Sequence, residues 1–269
     1  MRNEKLKHGH NEKRVKLMSK EMNLSMPIQG AGVSDVYRGI GEKVEEVNKK
    51  ISRLERKISI PSYTVGEEVM NGVTHGIGAI LGIVGLVLCL VKAYTSGGVL
   101  EIVSSWIFGV SMVILYTMSC LYHSIKPCNA KRVFRIFDHC TIFLLIAGCY
   151  TPFTLITLHG KIGWTLFGVV WAMAILGITL NAIDMEKFSK LSMVCYLTMG
   201  WAIIFAIKPL CEAISKEALV LLVTGGVIYT IGAALFALGS KVRYIHSVWH
   251  LFVLAGSILH FFCIYLYVI

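Results

Sequence analysis

Seven long runs of apolar residues constrain this chain more than any other feature of its sequence. Each has roughly the 20 residues that a helix needs to cross the hydrocarbon core of a bilayer. The runs are 69–92, 99–122, 137–158, 162–182, 191–211, 217–238 and 245–269. Of the 269 residues, 55% are hydrophobic and only 16% are charged, whereas about a quarter are charged in soluble domains. The sequence therefore predicts an all-α, multi-pass protein of the cell membrane.

The segments between the runs are short, which favours antiparallel neighbouring helices around one bundle. We therefore predict a single membrane domain over 65–269, built as a seven-transmembrane-helix bundle. Residues 1–60 form a separate, basic segment that we expect on the cytoplasmic side. Its first 33 residues show no apolar periodicity and are expected to be disordered.

Apolar residues recur every three or four positions from Val36 to Ile58, which predicts an amphipathic helix with a basic opposite face. The simpler interpretation is a helix lying on the inner membrane surface, with its lysines and arginines facing anionic headgroups. The alternative is a short coiled coil that mediates self-association. The sequence does not decide the oligomeric state.

The distribution of lysine and arginine sets the orientation. With a cytoplasmic N-terminus, the inner loops hold eight of these residues and the outer loops four, besides the fourteen that precede residue 60. Cytoplasmic loops carry the excess of positive charge, so the N-terminus is predicted inside and the C-terminus outside. The basic loop 126–135 is interpreted as part of this signal, and no nucleic acid partner is expected.

Polar residues inside the runs, or directly at their ends, cluster at one depth. In the predicted orientation, spans one, two, three and seven all carry them at their cytoplasmic ends. Such residues are expensive in a bilayer and tend to be functional. They are Glu68, Asn71, His75, Ser119, His123, Asp138, His246 and His250.

Three of these histidines predict a metal site. His246 and His250 are four residues apart, so their imidazoles lie on one helix face and can bind the same ion. His123 would add a third nitrogen and leave a fourth position open, as in catalytic zinc sites. We expect Zn²⁺, although three imidazoles accept several divalent metals.

Neighbouring polar residues suggest supporting roles. Asp138 is the candidate proton acceptor, and Ser119 could hold a carbonyl oxygen. Glu68, Asn71 and His75 lie on one helical stripe. They are either hydrogen-bonding partners that orient the metal ligands or a helix-packing network, and both interpretations stay open.

Two further polar residues are expected to lie outside the site. Glu67 is expected to be solvated at the start of the first span. His260 lies ten residues beyond His250, about 15 Å along a helix, and is expected to be a buried hydrogen-bonding group outside the metal site.

Taken together, the pattern Glu68-x2-Asn71-x3-His75, Ser119-x3-His123, Asp138 and His246-x3-His250 resembles the hemolysin III family. That family is similar to the progestin and adipoQ receptors (PAQR) and, more distantly, to the alkaline ceramidases. The resemblance covers about 65–269. It implies a seven-helix bundle with zinc on the matching histidines, a water near Asp138 and Ser119 close by.

Three functions are compatible with this pattern. The first is a metal-dependent hydrolase of lipid amides or esters, with membrane lipids as its partners and substrates. The second is a channel or pore-forming cytolysin, which the family name suggests. The third is a PAQR-like, lipid-sensing regulator of the membrane in which the zinc is structural.

Overall fold

The computed structural model describes residues 39–49, 58–238 and 242–269, and all regular structure in these ranges is helical. The chain divides between Glu55 and Arg56 into two units, and each is described by itself. The first contains helix α1, residues 39–49, with nearly every side chain exposed. The predicted amphipathic helix from Val36 to Ile58 coincides with α1 there, and most of its other residues lie outside the described ranges.

The second unit is a helical bundle. Its helices are α2 (Val65–Ser96), α3 (Val99–Ser124), α4 (Asn129–Pro152), α5 (Gly160–Gly200), α6 (Ile207–Ala213), α7 (Lys216–Leu238) and α8 (Ile245–Tyr267). A π-helical turn, Phe153–Thr157, follows α4, and a 3₁₀ segment, Ala202–Ala206, joins α5 to α6. Within the described residues, six helical segments are long and apolar enough to cross a membrane. The prediction of an all-α, multi-pass membrane protein is confirmed.

The fourth and fifth predicted spans fall in one helical segment, Gly160–Ala213, of 54 residues. A continuous helix of this length would measure about 81 Å, far more than the hydrocarbon core of about 30 Å. Its backbone leaves the helical region at Asp184, where φ is −160° and ψ is 89°. The expected loop from Asp184 to Lys190 is therefore a single kinked residue followed directly by helix.

Helix α4 begins at Asn129, several residues before the predicted start of the third span. Much of the expected basic loop 126–135 is thus helical. Lys131 and Asp138 are seven residues apart on this helix, which places them on one face, and both are buried.

Burial identifies α4 as the central helix. In the most apolar 18-residue stretch of Asn129–Thr157, 72% of the stretch is buried inside the protein, whereas 11% is buried in the corresponding stretch of α7. The outer face of α2 instead exposes an apolar stripe at helical spacing, as expected for a helix bordering lipid. The stripe consists of Val69, Val73, Ile77, Ile80, Val84, Val87 and Val91.

The other face of α2 packs closely against α3 through glycines. A Cβ on Gly72, Gly76 or Gly82 would lie 3.4 Å from a side-chain atom of α3, and one on Gly78 would lie 2.6 Å from the Tyr116 ring. Small residues allow membrane helices to approach at short range. This approach brings Asn71 of α2 beside His123 and the His75 ring against Tyr116 of α3.

Candidate metal centre

Three buried imidazoles from two helices converge at one end of the bundle. His123 comes from the last turn of α3, and His246 and His250 come from the first two turns of α8. One potential ligand atom from each lies within 4.8 Å of the others, so the group could hold a metal ion. The structure thus brings together the three histidines that the sequence singled out as metal ligands.

The three Nε2 atoms are buried and have no hydrogen-bond partner among the described residues. A buried polar atom without a partner is costly and calls for an explanation such as an ion or a water. Three unpaired imidazole nitrogens in one place fit a divalent cation of the zinc type, because neutral imidazole is one of its preferred ligands. The donor set therefore fits the ion that the sequence predicts.

The opposite ring nitrogens of two ligands face hydrogen-bond acceptors. Nδ1 of His123 lies 2.7 Å from Glu68 Oε2, and Nδ1 of His250 lies 3.3 Å from the Asn71 carbonyl oxygen. Both Nδ1 atoms must carry the proton, because carboxylates and carbonyls only accept. The lone pair of each ring is then on Nε2, which is the usual tautomer of a metal-bound histidine.

Asn71 links the three helices that build the centre. Its side chain is fully buried, and its Oδ1 accepts a hydrogen bond of 2.5 Å from Ser247 of α8. Its backbone carbonyl accepts from His250 of α8, whereas its Nδ2 contacts His123 Nδ1 of α3 at 3.4 Å without a hydrogen bond, because both atoms are donors. Asn71 therefore ties α2 to α8 through hydrogen bonds and packs against α3.

Lys131 is the polar residue of the centre that the sequence reasoning missed. It is 1% exposed, and its Nζ donates to Glu68 Oε1 at 2.7 Å and to the Ile125 carbonyl at 2.9 Å. Its Nζ also lies 5.0 Å from the centroid of the Tyr122 ring. The interpretation of Lys131 as an ordinary loop cation is wrong, because α4 begins early enough to bury it. The seven-residue spacing to Asp138 is the sequence signal that could have revealed it.

Three further candidate residues lie outside the histidine cluster itself: Asp138 and His75 line a cavity, and Ser119 is on α3. Asp138 is 5% exposed, and no described residue forms a hydrogen bond or ion pair with its carboxylate. Ser119, one turn before His123 on α3, is fully buried with an unpartnered hydroxyl. The His75 ring stacks on His250, with centroids 3.6 Å apart and an angle of 7° between the planes. Unpartnered polar groups thus extend beyond the three ligands.

Tyr63 covers the side of the centre that faces the start of α2. Its ring centroid lies 5.8 Å from that of His123 and 5.1 Å from that of His246. Burial raises the pKa of the Tyr63 hydroxyl above its usual value, and the nearby Asp138 carboxylate raises it further against the opposing effect of the Arg135 cation. Tyr63 therefore stays protonated at neutral pH. Tyr63 precedes the first apolar run, so no periodicity in the sequence would have identified it.

The segment that carries Tyr63 is tied to two helices. Arg135 of α4 donates to the Ser59 carbonyl and to Glu186 Oε1 of α5, the latter at 2.6 Å. The Ser59 hydroxyl donates to the same Glu186 oxygen at 2.9 Å. These contacts hold the chain across the cluster ahead of α2.

Glu67 sets the start of α8 rather than pointing to solvent. It is 8% exposed and forms a capping box with Thr64, accepting a 2.8 Å hydrogen bond from the Thr64 amide. Its other oxygen accepts from the Tyr244 amide at 2.9 Å. Tyr244 has a left-handed backbone with φ of 61°, which is uncommon for an aromatic residue. The expectation of a solvated Glu67 is wrong, because this acid joins α2 to the residue that precedes Ile245 and His246.

A largely apolar cavity lies beside the cluster, with about 1040 Å³ of space free of atoms, part of it open to the outside. Its lining includes Asp138 and His75 near the cluster and extends along α4 and α8 to Tyr150 and His260. A second cavity, of about 620 Å³, shares His260 with the first and continues to Leu210. A lining that is mostly apolar and carries a few polar groups is typical of small-molecule sites.

The chain is similar in sequence to known proteins along most of the helical bundle. The sequence model of the family described as Haemolysin-III related covers residues 63–261. Hemolysin-3 of Bacillus cereus is 46% identical over 213 residues, which is 79% of this chain and 97% of that protein. The Hemolysin-3 homolog of Bacillus subtilis (strain 168) is 43% identical over 205 residues, which is 76% of this chain and 96% of that protein.

A more distant similarity extends to animals. The monocyte to macrophage differentiation factor of Homo sapiens is 26% identical over 209 residues, covering 76% of this chain and 85% of that protein. The family model begins at Tyr63 and includes every residue of the cluster, so the matched region contains the whole candidate centre. The chain belongs to the Haemolysin-III related family of multi-pass membrane proteins.

Proposed function

We propose that this protein is a zinc-dependent hydrolase that cleaves lipid amides or esters taken from the membrane. The observation that carries the proposal is the set of three unpartnered Nε2 atoms on His123, His246 and His250 beside a largely apolar cavity. When bound, Zn²⁺ would act as a Lewis acid and bring the pKa of a water to about 7.

The polar side chains around the cluster suggest a separate chemical role for each. Asp138 is a buried carboxylate without a partner among the described residues, so it can take a proton from the attacking water and pass it to the leaving group. Ser119 has a free buried hydroxyl that can donate to the carbonyl oxygen of the substrate. Glu68 and Asn71 hold two ligand rings in the tautomer that turns Nε2 inward.

The proposal includes a seven-span topology. The break at Asp184 divides Gly160–Ala213 into two parts, each long enough to cross the bilayer at about 1.5 Å per residue. Seven crossings place the termini on opposite sides, and the excess of lysine and arginine favours a cytoplasmic N-terminus. The histidine cluster then lies near the cytoplasmic leaflet.

Hydrolysis of a fluorescent lipid amide and of its matching ester by the purified protein tests the activity. We expect His250→Ala to abolish turnover and Asp138→Asn to lower it by roughly 10²–10⁴-fold while metal is retained. His159→Asn is the matched control, because His159 is exposed and lies directly before α5, beyond the π-helical turn that follows α4. Equal turnover in His250→Ala and the wild type would refute the hydrolase.

The names of the two Bacillus relatives favour a second candidate, a pore-forming cytolysin. Purified protein would then release dye from liposomes, whereas the hydrolase predicts that vesicles made of non-substrate lipids stay sealed. A third outcome is a structural metal without turnover. Metal removal would then lower the unfolding temperature while no activity is found with any lipid.

A further inference from the structure

His260 is a second polar feature of the cavity, separate from the histidine cluster. It lies ten residues after His250 on α8, about 15 Å along the helix axis. It is 9% exposed and lines both cavities. Its Nδ1 is buried and has no hydrogen-bond partner among the described residues.

Only one edge of the His260 ring is engaged. Nε2 lies 3.3 Å from the Leu222 carbonyl, which can only accept, so Nε2 carries the proton. A Cβ on Gly225 would lie 2.4 Å from Cδ2 and 2.6 Å from Nε2 of this ring. The Cδ2–Nε2 edge therefore faces α7, and the Nδ1 atom is on the opposite side of the ring.

The ring is neutral, because no described carboxylate pairs with it and an uncompensated charge inside the membrane is costly. Its Nδ1 is then a hydrogen-bond acceptor without a donor. Such a group is satisfied by a water or by a ligand.

A water at this point would find few partners, since the nearby polar groups that line the cavity are already hydrogen-bonded. The Tyr150 hydroxyl donates to the Gly200 carbonyl and accepts from the Ile203 amide. Thr230 donates to the Gly226 carbonyl and accepts from Trp201 Nε1, and the Tyr229 hydroxyl pairs with Ser257. Buried waters ordinarily make two to four hydrogen bonds, so a ligand donor satisfies Nδ1 better.

We propose that His260 Nδ1 is the acceptor of a second binding point that recognises a hydroxyl or amide N–H carried within the apolar part of a lipid ligand. The inference rests on the proposed function, because it takes the ligand to be a lipid whose polar end lies at the histidine cluster. The hydroxyl or amide N–H of the ligand would then lie about 15 Å from its polar end. The substrate class is then lipids whose chain carries an internal hydroxyl or amide, rather than plain saturated chains.

Binding of two matched probes tests the proposal. The wild-type protein in saturated-lipid nanodiscs is titrated with 12-hydroxystearate and with stearate, which differ by one hydroxyl at a comparable distance from the carboxylate. Trp201 and Trp249 line the cavity and provide a fluorescence signal. We expect the hydroxylated probe to bind roughly tenfold more tightly, the effect of about one hydrogen bond.

Two variants identify the acceptor. His260→Phe is expected to lose the preference and His260→Asn, which keeps an acceptor, to retain part of it, both with unchanged metal content. Equal affinities for the two probes in metal-loaded wild type would overturn the second binding point and leave the proposed function standing. If neither probe binds the metal-loaded protein, both the second binding point and the proposed function are overturned. If His260→Phe does not fold, the wild-type comparison still decides.

Discussion

At the scale of single residues, the imidazole rings of the centre are held in orientation by neighbouring side chains outside the cluster. Glu68 sits between His123 and Lys131, with a 2.7 Å contact to each. Lys131 thereby stabilises the ionised carboxylate of Glu68, which accepts the hydrogen bond from His123 Nδ1–H. Removing a hydrogen-bonding partner of a metal-binding histidine typically lowers metal affinity by 10–100-fold.

Lys131→Met is expected to weaken metal binding by roughly 10–100-fold and to lower the free energy of unfolding by about 1–3 kcal/mol, because it leaves Glu68 without its cation. Metal affinity by competition with a chelator and thermal unfolding in detergent measure the two effects. Lys190→Met removes an exposed lysine and is the matched control. A Lys131→Met protein with unchanged metal affinity would contradict this role.

The sequence contained enough to single out the three histidines that the structure brings together, and too little to identify Lys131 and Tyr63. His246 and His250 were predictable because their spacing alone places them on one helix face. The position of Lys131 depends on where α4 starts, and the predicted span began eight residues later than the helix does. Tyr63 comes before the first helix, where no periodicity applies, and only the folded chain places its ring over His123.

At the scale of helices, two kinds of contact bring α2, α3 and α8 together. Glycines let α2 approach α3, and Glu67 holds the first residue before α8 through the Tyr244 amide. In the sequence, Gly72 and Gly76 and likewise Gly78 and Gly82 are four residues apart, a spacing that favours close packing of membrane helices. The contact between Glu67 and Tyr244 was not visible in the sequence, because the two residues are 177 positions apart.

Gly78→Ala is expected to destabilise the protein by about 1–3 kcal/mol, since its Cβ would lie 2.6 Å from the Tyr116 ring. Gly76→Ala is the control on the same helix, because its nearest neighbour on α3 is the Cys120 sulfur at 3.4 Å. Thermal unfolding of the two variants side by side measures the difference. Equal unfolding temperatures would show that the close approach at Gly78 does not hold these helices.

Glu67→Ala and Thr64→Val separate two roles of the same cap. Each removes a side chain of the capping box, which costs about 0.5–2 kcal/mol. Only Glu67→Ala also releases the Tyr244 amide and the start of α8, so we expect only this variant to lower metal affinity. Chelator competition on both proteins checks the expectation, and a matching loss in Thr64→Val would contradict it.

At the scale of the whole molecule, the fold class followed from the apolar runs and a separate N-terminal segment was predicted from its charge, while the break at Asp184 required the structure. The runs 162–182 and 191–211 were predicted with a loop between them, and the chain instead passes from one to the other within a single kinked helix. The local sequence around Asp184 is compatible with helix on both sides. Packing against the rest of the bundle, rather than propensity, decides where it bends.

Two exposed free cysteines test the proposed topology. Cys128 lies between α3 and α4, and Cys211 lies on α6. With seven spans and a cytoplasmic N-terminus, Cys211 is on the outside and Cys128 is on the inside. A membrane-impermeant thiol reagent applied to intact cells should label Cys211, whereas Cys128 should react only after lysis. Labelling of Cys128 in intact cells would contradict the predicted orientation and indicate the opposite one.

The metal content of the purified protein tests the central claim most directly. Inductively coupled plasma mass spectrometry on detergent-purified wild type, on His250→Ala and on the control His159→Asn gives the number of ions per chain. We expect about one zinc in the wild type and the control, and its loss in His250→Ala, because one of three imidazole ligands is removed. A folded wild type without a stoichiometric metal, or a His250→Ala protein that retains it, would contradict the assignment of this cluster as a metal centre.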